Sequence, residues 1–249
     1  MGRLDGKVAM ITGASRGMGA EHAKEFVQEG AKVAITDILE DEGRQLADEI
    51  GENAIFVKLD ITKLEDWENA IQKTKEAFGD VNILVNNAGY PGPFDHVADL
   101  DVDEYLKVIN IDQHGTFYGM KAVIPHMLSS GGGTIVNIAS VAGEQHVEGT
   151  PSAAYTAAKH AVMGLTKAAA VEYAAKNIRI NAILPGSVLT PMMRDVFTQE
   201  QIDAAGSMSP INRLANPREI SKVVAFLASD DSSYVTGAGY AVDGGLMVQ

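Results

Sequence analysis

The chain has 249 residues, 46% of them hydrophobic and 21% charged, with a formal net charge of −13 and no cysteine. This is an ordinary globular composition, long enough to bury roughly three quarters of its unfolded surface. It excludes disulfides, thiolate metal sites and a cysteine nucleophile, and its acidity argues against nucleic acid or an anionic membrane as partner. No apolar run reaches the length of a signal-peptide core or a membrane span, so a cytoplasmic protein is expected.

In chain order, short β-rich runs occur at residues 7–12, 32–37, 54–60, 81–87, 133–140, 178–185 and 239–245. Helical patterns lie between them. One places Ala20, Ala23, Phe26 and Val27 on a stripe, another Trp67, Ile71, Thr74 and Phe78, and each ends at a glycine. Apolar strands alternating with helices predict βαβ units, hence an α/β, doubly wound parallel sheet of about seven strands covered on both faces. Repeats, linkers and low-complexity segments are absent, so residues 1–249 read as a single domain. Residues 186–215 stand out as an excursion between two core elements.

The first strand runs directly into T-G-A-S-R-G-M-G at 12–19. Gly13, Gly17 and Gly19 fit a sharp strand-to-helix turn whose amides approach a pyrophosphate. Asp37 ends the second strand about twenty residues on, placed to accept from adenosine ribose hydroxyls and to repel a 2′-phosphate, which favours NAD over NADP. Arg16 carries the opposite sign, since a cation there could meet a 2′-phosphate; Asp37 is weighted more heavily. Asp60 and Asn86–Asn87 close the third and fourth strands, at the end of a parallel sheet where ligands bind. Taken singly, Asp60 reads as a helix N-cap and the asparagines as a turn.

T-G-x-x-x-G-x-G at 12–19, Asp60, N-N-A-G at 86–89, Asn110, Ser140, Tyr155-x-x-x-Lys159, and P-G at 185–186 with Thr190 together resemble the short-chain dehydrogenase/reductase family, in its order and over essentially the whole chain. The resemblance implies a Rossmann-type fold, a nicotinamide cofactor and an active site of Asn110, Ser140, Tyr155 and Lys159. Reduction of a ketone needs a proton for the carbonyl oxygen, and Tyr155 would exchange it. A free phenol titrates near pH 10, and a cation within about 4–6 Å lowers that value. Lys159, four residues on and on the same helix face, would supply the cation and reach the nicotinamide ribose. Ser140 would hydrogen-bond the carbonyl or developing alkoxide, and Asn110 would hold a relay water, although by itself it reads as an ordinary polar helix residue.

The same resemblance carries cofactor contacts onto Ser15, Arg16 and Met18 among the glycines, onto Asp37, Asp60 and Ile61, and onto Asn87, Ala88 and Gly89. Pro185 and Gly186 would pass close to the nicotinamide, with the Val188 backbone and the Thr190 hydroxyl on its carboxamide. Residues 235–245 would lie at a subunit interface, implying a homotetramer. No metal site is expected, with Gln249 left open as a metal or subunit contact.

The substrate is less constrained. The segment from Ser140 to Tyr155 is about two residues longer than the family pattern and brings Glu144, Gln145, His146 and Glu148 beside the site; His146 reads more simply as a solvated loop residue, and His96 and His114 as structural. Residues 187–215 form the expected substrate lid, where Met192, Met193, Val196, Phe197, Ile202 and Met208 offer an apolar face suited to an irregular hydrophobic ketone. The expected activity is interconversion of a secondary alcohol and a ketone with NAD(H), on an apolar, cyclic or steroid-like small molecule. The alternatives are a 3-ketoacyl-ACP or acyl-CoA reductase, disfavoured by the uncharged stretch 127–136, and a non-catalytic Rossmann-fold binding protein, disfavoured by the intact four-residue set.

Overall fold

A computed structural model describes residues 2–146 and 150–249, leaving the side chains of Met192 and Val196 aside. Glu148, Met192 and Val196, three of the residues singled out near the substrate, therefore lie outside what is described. The elements alternate as the sequence pattern requires: β1 (Val8–Thr12), α1 (Gly17–Gln28), β2 (Lys32–Asp37), α2 (Glu40–Ile50), β3 (Ala54–Lys58), α3 (Leu64–Phe78) and β4 (Ile83–Asn86). Next come α4 (Val102–Val108), a π-helical segment (Ile109–His114), α5 (Gly115–Ser129), β5 (Gly133–Ile138) and α6 (Ala153–Tyr173). The chain ends with β6 (Ile178–Pro185), α7 (Pro191–Val196), α8 (Gln199–Ser207), α9 (Pro217–Ala228) and β7 (Gly239–Val242).

All seven strands are parallel, in the order β3-β2-β1-β4-β5-β6-β7. The predicted doubly wound sheet is thus borne out, and most strands match the expected runs to within two or three residues. Alternation along each strand divides the core in two. In β1, Ala9 and Ile11 face one layer with Phe26 of α1 and Val224 of α9. Met10 faces the other, with Trp67 of α3 and Val123 of α5. The order reverses between β1 and β4, opening a crevice beyond the carboxyl ends of the strands.

The α1 stripe is wider than its apolar residues suggest. Ala20, Ala23 and Phe26 are buried, but so are His22 and Glu25, because α9 lies across them. Glu25 accepts from Arg218 Nε at 2.9 Å. His22 Nδ1 sits 2.7 Å from Ser221 Oγ. The Ser221 hydroxyl donates to the Pro217 carbonyl at 3.1 Å, so the hydrogen of the His22 contact comes from Nδ1, and Nε2 is the unprotonated nitrogen. Complete burial lowers the His22 pKa from 6.5 to about 3.

A histidine whose folded pKa lies below its unfolded value destabilises the fold when the unfolded chain binds a proton that the native state refuses. The loss begins as pH falls below about 6.5 and grows by about 1.4 kcal/mol per pH unit towards pH 3. Urea unfolding between pH 7 and pH 4 is expected to show this slope, and His22→Gln to flatten it by close to one proton. Parallel slopes in the two proteins would contradict the assignment.

Candidate active site

The crevice at the strand ends is a cleft of about 890 Å³, with Asp37, Asp60, Ser140, Tyr155, Lys159 and Thr190 among its lining residues. Every residue expected at the site reaches its wall except Ser15, which is buried behind it.

One end is built on β1. Gly13 and Gly17 both have φ of +61°, the left-handed region that side chains disfavour. A Cβ on Gly19 would come within 2.8 Å of Ala14 Cα and 2.7 Å of Asn87 Nδ2, so helix and strand pack there without a side chain between them. Arg16, the residue preceding α1, makes no side-chain cap, and its guanidinium turns away to Asp195 of α7 at 3.3 Å. Thr12 Oγ1 accepts from the Asn87 and Ala88 amides, both at 3.0 Å. Asn87 Nδ2 donates to the Thr12 and Gly13 carbonyls at 2.9 and 3.1 Å. Asp37 accepts from the Ser15 amide at 3.0 Å and from the Ile38 and Leu39 amides at 2.7 and 3.2 Å. Ser15 thus shapes the turn through Asp37 and the Leu39 carbonyl, 3.1 Å from its hydroxyl. Asp60 accepts from the Thr62 amide and hydroxyl; burial pushes its pKa up, but these bonds and Lys63 outweigh it and hold it low.

The other end is built on β5 and α6. Ser140 follows β5, and its Oγ accepts from the Ala142 amide at 3.1 Å, leaving the hydroxyl hydrogen to donate elsewhere. Tyr155 and Lys159 share one face of α6, with the Lys159 nitrogen 5.3 Å from the phenol ring centre. Lys159 is buried, donates to the Ile138 carbonyl at 3.1 Å and lies 3.2 Å from Asp112 Oδ2. Asn110 is not part of this group: it is exposed and meets His114 Nδ1 at 3.3 Å. The π-helical turn brings the residue two positions on to Lys159 instead. That acid was missed in the sequence, where its one signal was an Asp inside the apolar stretch V-I-N-I-D.

Gly186 and Pro185 flank the cleft, the former so close to Asp243 that a Cβ would meet its Cα at 2.8 Å. Val188 bridges Ala215, and the Thr190 hydroxyl accepts from the Met193 amide, capping α7. The mouth is apolar: Phe197, after α7, packs on Phe94 at 5.2 Å between ring centres, with Tyr90 and Pro91 beside them. Tyr90, Pro91 and Phe94 escaped sequence reading because a loop without periodicity gives no hint of which element it faces. His146 is exposed, 3.4 Å from Thr156 Oγ1. Gln249 Nε2 donates to the Met208 carbonyl within the chain. Among the described residues no group of His, Asp and Glu is arranged to hold a metal ion, and no helix is long and apolar enough to cross a membrane.

A family profile described as "Enoyl-(Acyl carrier protein) reductase" matches residues 13–247. Trans-4-hydroxycyclohexanecarboxylate dehydrogenase of Sinomonas cyclohexanicum is 45% identical over 98% of this chain and 93% of its own length. For 3-alpha-(or 20-beta)-hydroxysteroid dehydrogenase of Mycobacterium tuberculosis strain H37Rv the identity is 42%, over 98% and 90%. Cyclohexanol dehydrogenase of Acinetobacter sp. strain SE19 is 40% identical over 97% and 95%. The chain belongs to the short-chain dehydrogenase/reductase family. Among solved structures, the crystal structure of gox2181 superposes with a TM-score of 0.95 at 32% identity, covering 99% of this chain and 98% of that one.

Short-chain dehydrogenase/reductase membership makes the protein an oxidoreductase with a nicotinamide cofactor, and the cleft fits one. The α1 amides are uncapped by side chains, the glycines leave the turn bare, and the buried Asn87 Oδ1 has no protein partner among the described residues, an acceptor that a ribose hydroxyl would satisfy. Gly19→Ala should force the turn away from Asn87 and weaken dinucleotide binding at least about tenfold. Fluorescence titration of the reduced cofactor measures this, and wild-type affinity in the variant would refute the packing argument.

Proposed function

We propose that the protein interconverts a secondary alcohol and a ketone with NAD(H), on an apolar cyclic substrate. The observation that carries this reading is that Tyr155, Lys159 and Ser140 line the same cleft as the glycine turn. The bound nicotinamide supplies or accepts the hydride. The remaining chemistry belongs to the chain: the Ser140 hydroxyl donates to the substrate oxygen, Tyr155 gives or takes its proton, and the buried Lys159 ammonium lies 5.3 Å from the phenol ring centre. Pro185, Gly186, Val188 and Thr190 would line the nicotinamide.

Residues 187–215 are the proposed lid over a single domain. Its contact with Phe94 gives a largely aromatic mouth, which suits an apolar ring. The relatives named for cyclohexane and steroid alcohols support the same class. The acyl-carrier alternative would need a cationic docking surface, and the chain is strongly acidic. For assembly we propose a cytoplasmic homotetramer. The exposed Val102, Leu106 and Phe117 on α4 and α5, and the open β7 edge beside exposed Tyr234 and Val248, support it.

A panel of cyclohexanols and hydroxysteroids assayed with both cofactors tests the reaction. Tyr155→Phe is expected to lower kcat by at least about 100-fold while cofactor still binds; wild-type turnover in this variant would end the assignment. Cofactor choice rests on Asp37, whose charge would stand beside the ribose end while Arg16 is engaged with Asp195. Because Asp37 also holds three amides, Asp37→Asn is the cleaner test. It should raise kcat/KM for NADP relative to NAD about tenfold, and a wild-type enzyme that already prefers NADP would reverse the reading.

A further inference from the structure

Five charged side chains line the cleft among the described residues, and four of them are committed. Asp37 and Asp60 accept from backbone amides at the strand ends. Arg16 is paired with Asp195, and Lys159 is buried against the Ile138 carbonyl and Asp112. The fifth is Lys107 of α4, which borders the cleft with its side chain about half exposed. Its nitrogen lies 4.5 Å from the centre of the Tyr90 ring. Glu104, three residues earlier on the helix, accepts from it at 3.2 and 3.5 Å and also accepts from Tyr90 Oη at 3.1 Å. Tyr90 packs on the cluster of Val108, Ala154 and Ala158, and Tyr155 packs on the same cluster. A single aromatic side chain therefore links Lys107 to the surroundings of Tyr155.

We propose that Lys107 is a specificity-determining residue, and that the preferred substrate is an apolar ring carrying a carboxylate, which pairs with the Lys107 ammonium. This rests on the reading of the cleft as the site of alcohol oxidation. An ammonium has three donors and no acceptor. Glu104 and the Tyr90 ring take two sides of it, and the exposed remainder borders the cleft. Hydrogen bonds from a cation to a carboxylate are roughly twice as strong as bonds between neutral groups, so a carboxylate is the substituent that such a lysine favours most. A phosphate tail is served best by several cations or an arginine fork, and the lining here offers one lysine.

The surroundings suit a ring with one charged end. Phe94 and Phe197 give the ring apolar walls, with Tyr90 and Pro91 beside them. Glu104 raises the Lys107 pKa, so the ammonium stays charged through the neutral range. A net charge of −13 repels anions at long range, but salt screens that field beyond about 8 Å and leaves the local cation to decide.

The test compares hydroxycyclohexanecarboxylates with the matching methylcyclohexanols, rings of similar size that differ in charge. The wild-type protein is expected to favour the acids in kcat/KM. Lys107→Met, which keeps an apolar stem over Tyr90, should lower the acid-to-alcohol ratio at least about fivefold, with the loss in KM for the acid, and Lys107→Arg should restore most of it. An unchanged ratio overturns the proposal. Because Lys107→Met also leaves Glu104 unpaired, the double variant K107M/E104Q removes both charges; it should still lag the wild type on the acids. Full recovery there would mean that Lys107 only screens Glu104, and the proposal falls. A second readout needs no turnover: cyclohexanecarboxylate, which has no hydroxyl to oxidise, should bind the cofactor-loaded protein in calorimetry and lose affinity by the same factor in Lys107→Met. Absent binding, or binding indifferent to Lys107, overturns the proposal. Lys107-dependent binding with no turnover on any alcohol would sink the proposed reaction and leave the carboxylate subsite standing. Turnover of the neutral alcohols with no preference for the acids would do the reverse.

Discussion

The interaction on which the rest of the site depends is the burial of a single ammonium. An uncompensated charge inside a protein costs several kcal/mol, so Lys159 can sit within the fold only where oxygen atoms or an aromatic face meet it. Three elements supply them: β5 gives the Ile138 carbonyl, the π-helical segment gives Asp112, and α6 itself gives the face of Tyr155. The wider turn at Ile109–His114 is part of the same solution, since it lets Asp112 point inward while Thr116 Oγ1 bonds its carbonyl. π-type turns occur often at functional sites for such reasons. Gly89 belongs to the same solution, because a side chain there would crowd both charges.

The dinucleotide end of the cleft follows a different logic. There the polar side chains mostly hold backbone. Thr12, Asn87 and Asp37 together bind amides and carbonyls of three strand ends, so that the glycine turn keeps one shape without a ligand. Pre-organisation of this kind lowers the ordering cost of binding. On the proposed reading Asp37 serves two purposes, fixing the turn with its hydrogen bonds and disfavouring a 2′-phosphate with its charge.

The fold was legible in the sequence because parallel strands buried on both faces are apolar throughout, and such runs stand out between helices. The glycine turn was legible for a similar reason, being defined by local spacing on one element, whereas Ser140, Tyr155 and Lys159 were carried by the family resemblance. Asp112 was not legible, because its position depends on a π-helical register that periodicity of 3.6 residues does not anticipate. The buried polar side of α1 was hidden likewise. His22 and Glu25 become interior only because Ser221 and Arg218, some two hundred residues away, arrive on α9 to meet them. Contacts of that range leave no trace in local pattern.

The proposed lid connects the two ends of the cleft by weak contacts. Arg16 reaches from the glycine turn to Asp195, Phe197 rests on Phe94, and Val188 pairs with Ala215 at its base. An ion pair with both side chains more than half exposed contributes about 1 kcal/mol or less, and one aromatic pair adds about 0.5–1.5 kcal/mol. Contacts of this size permit opening on the timescale of turnover. They also bear on cofactor choice, since a 2′-phosphate could recruit Arg16 only by taking it from Asp195 and loosening the lid. On the proposed reading, Asp37 beside the same turn adds a repulsion to that lost contact for NADP, and NAD meets neither.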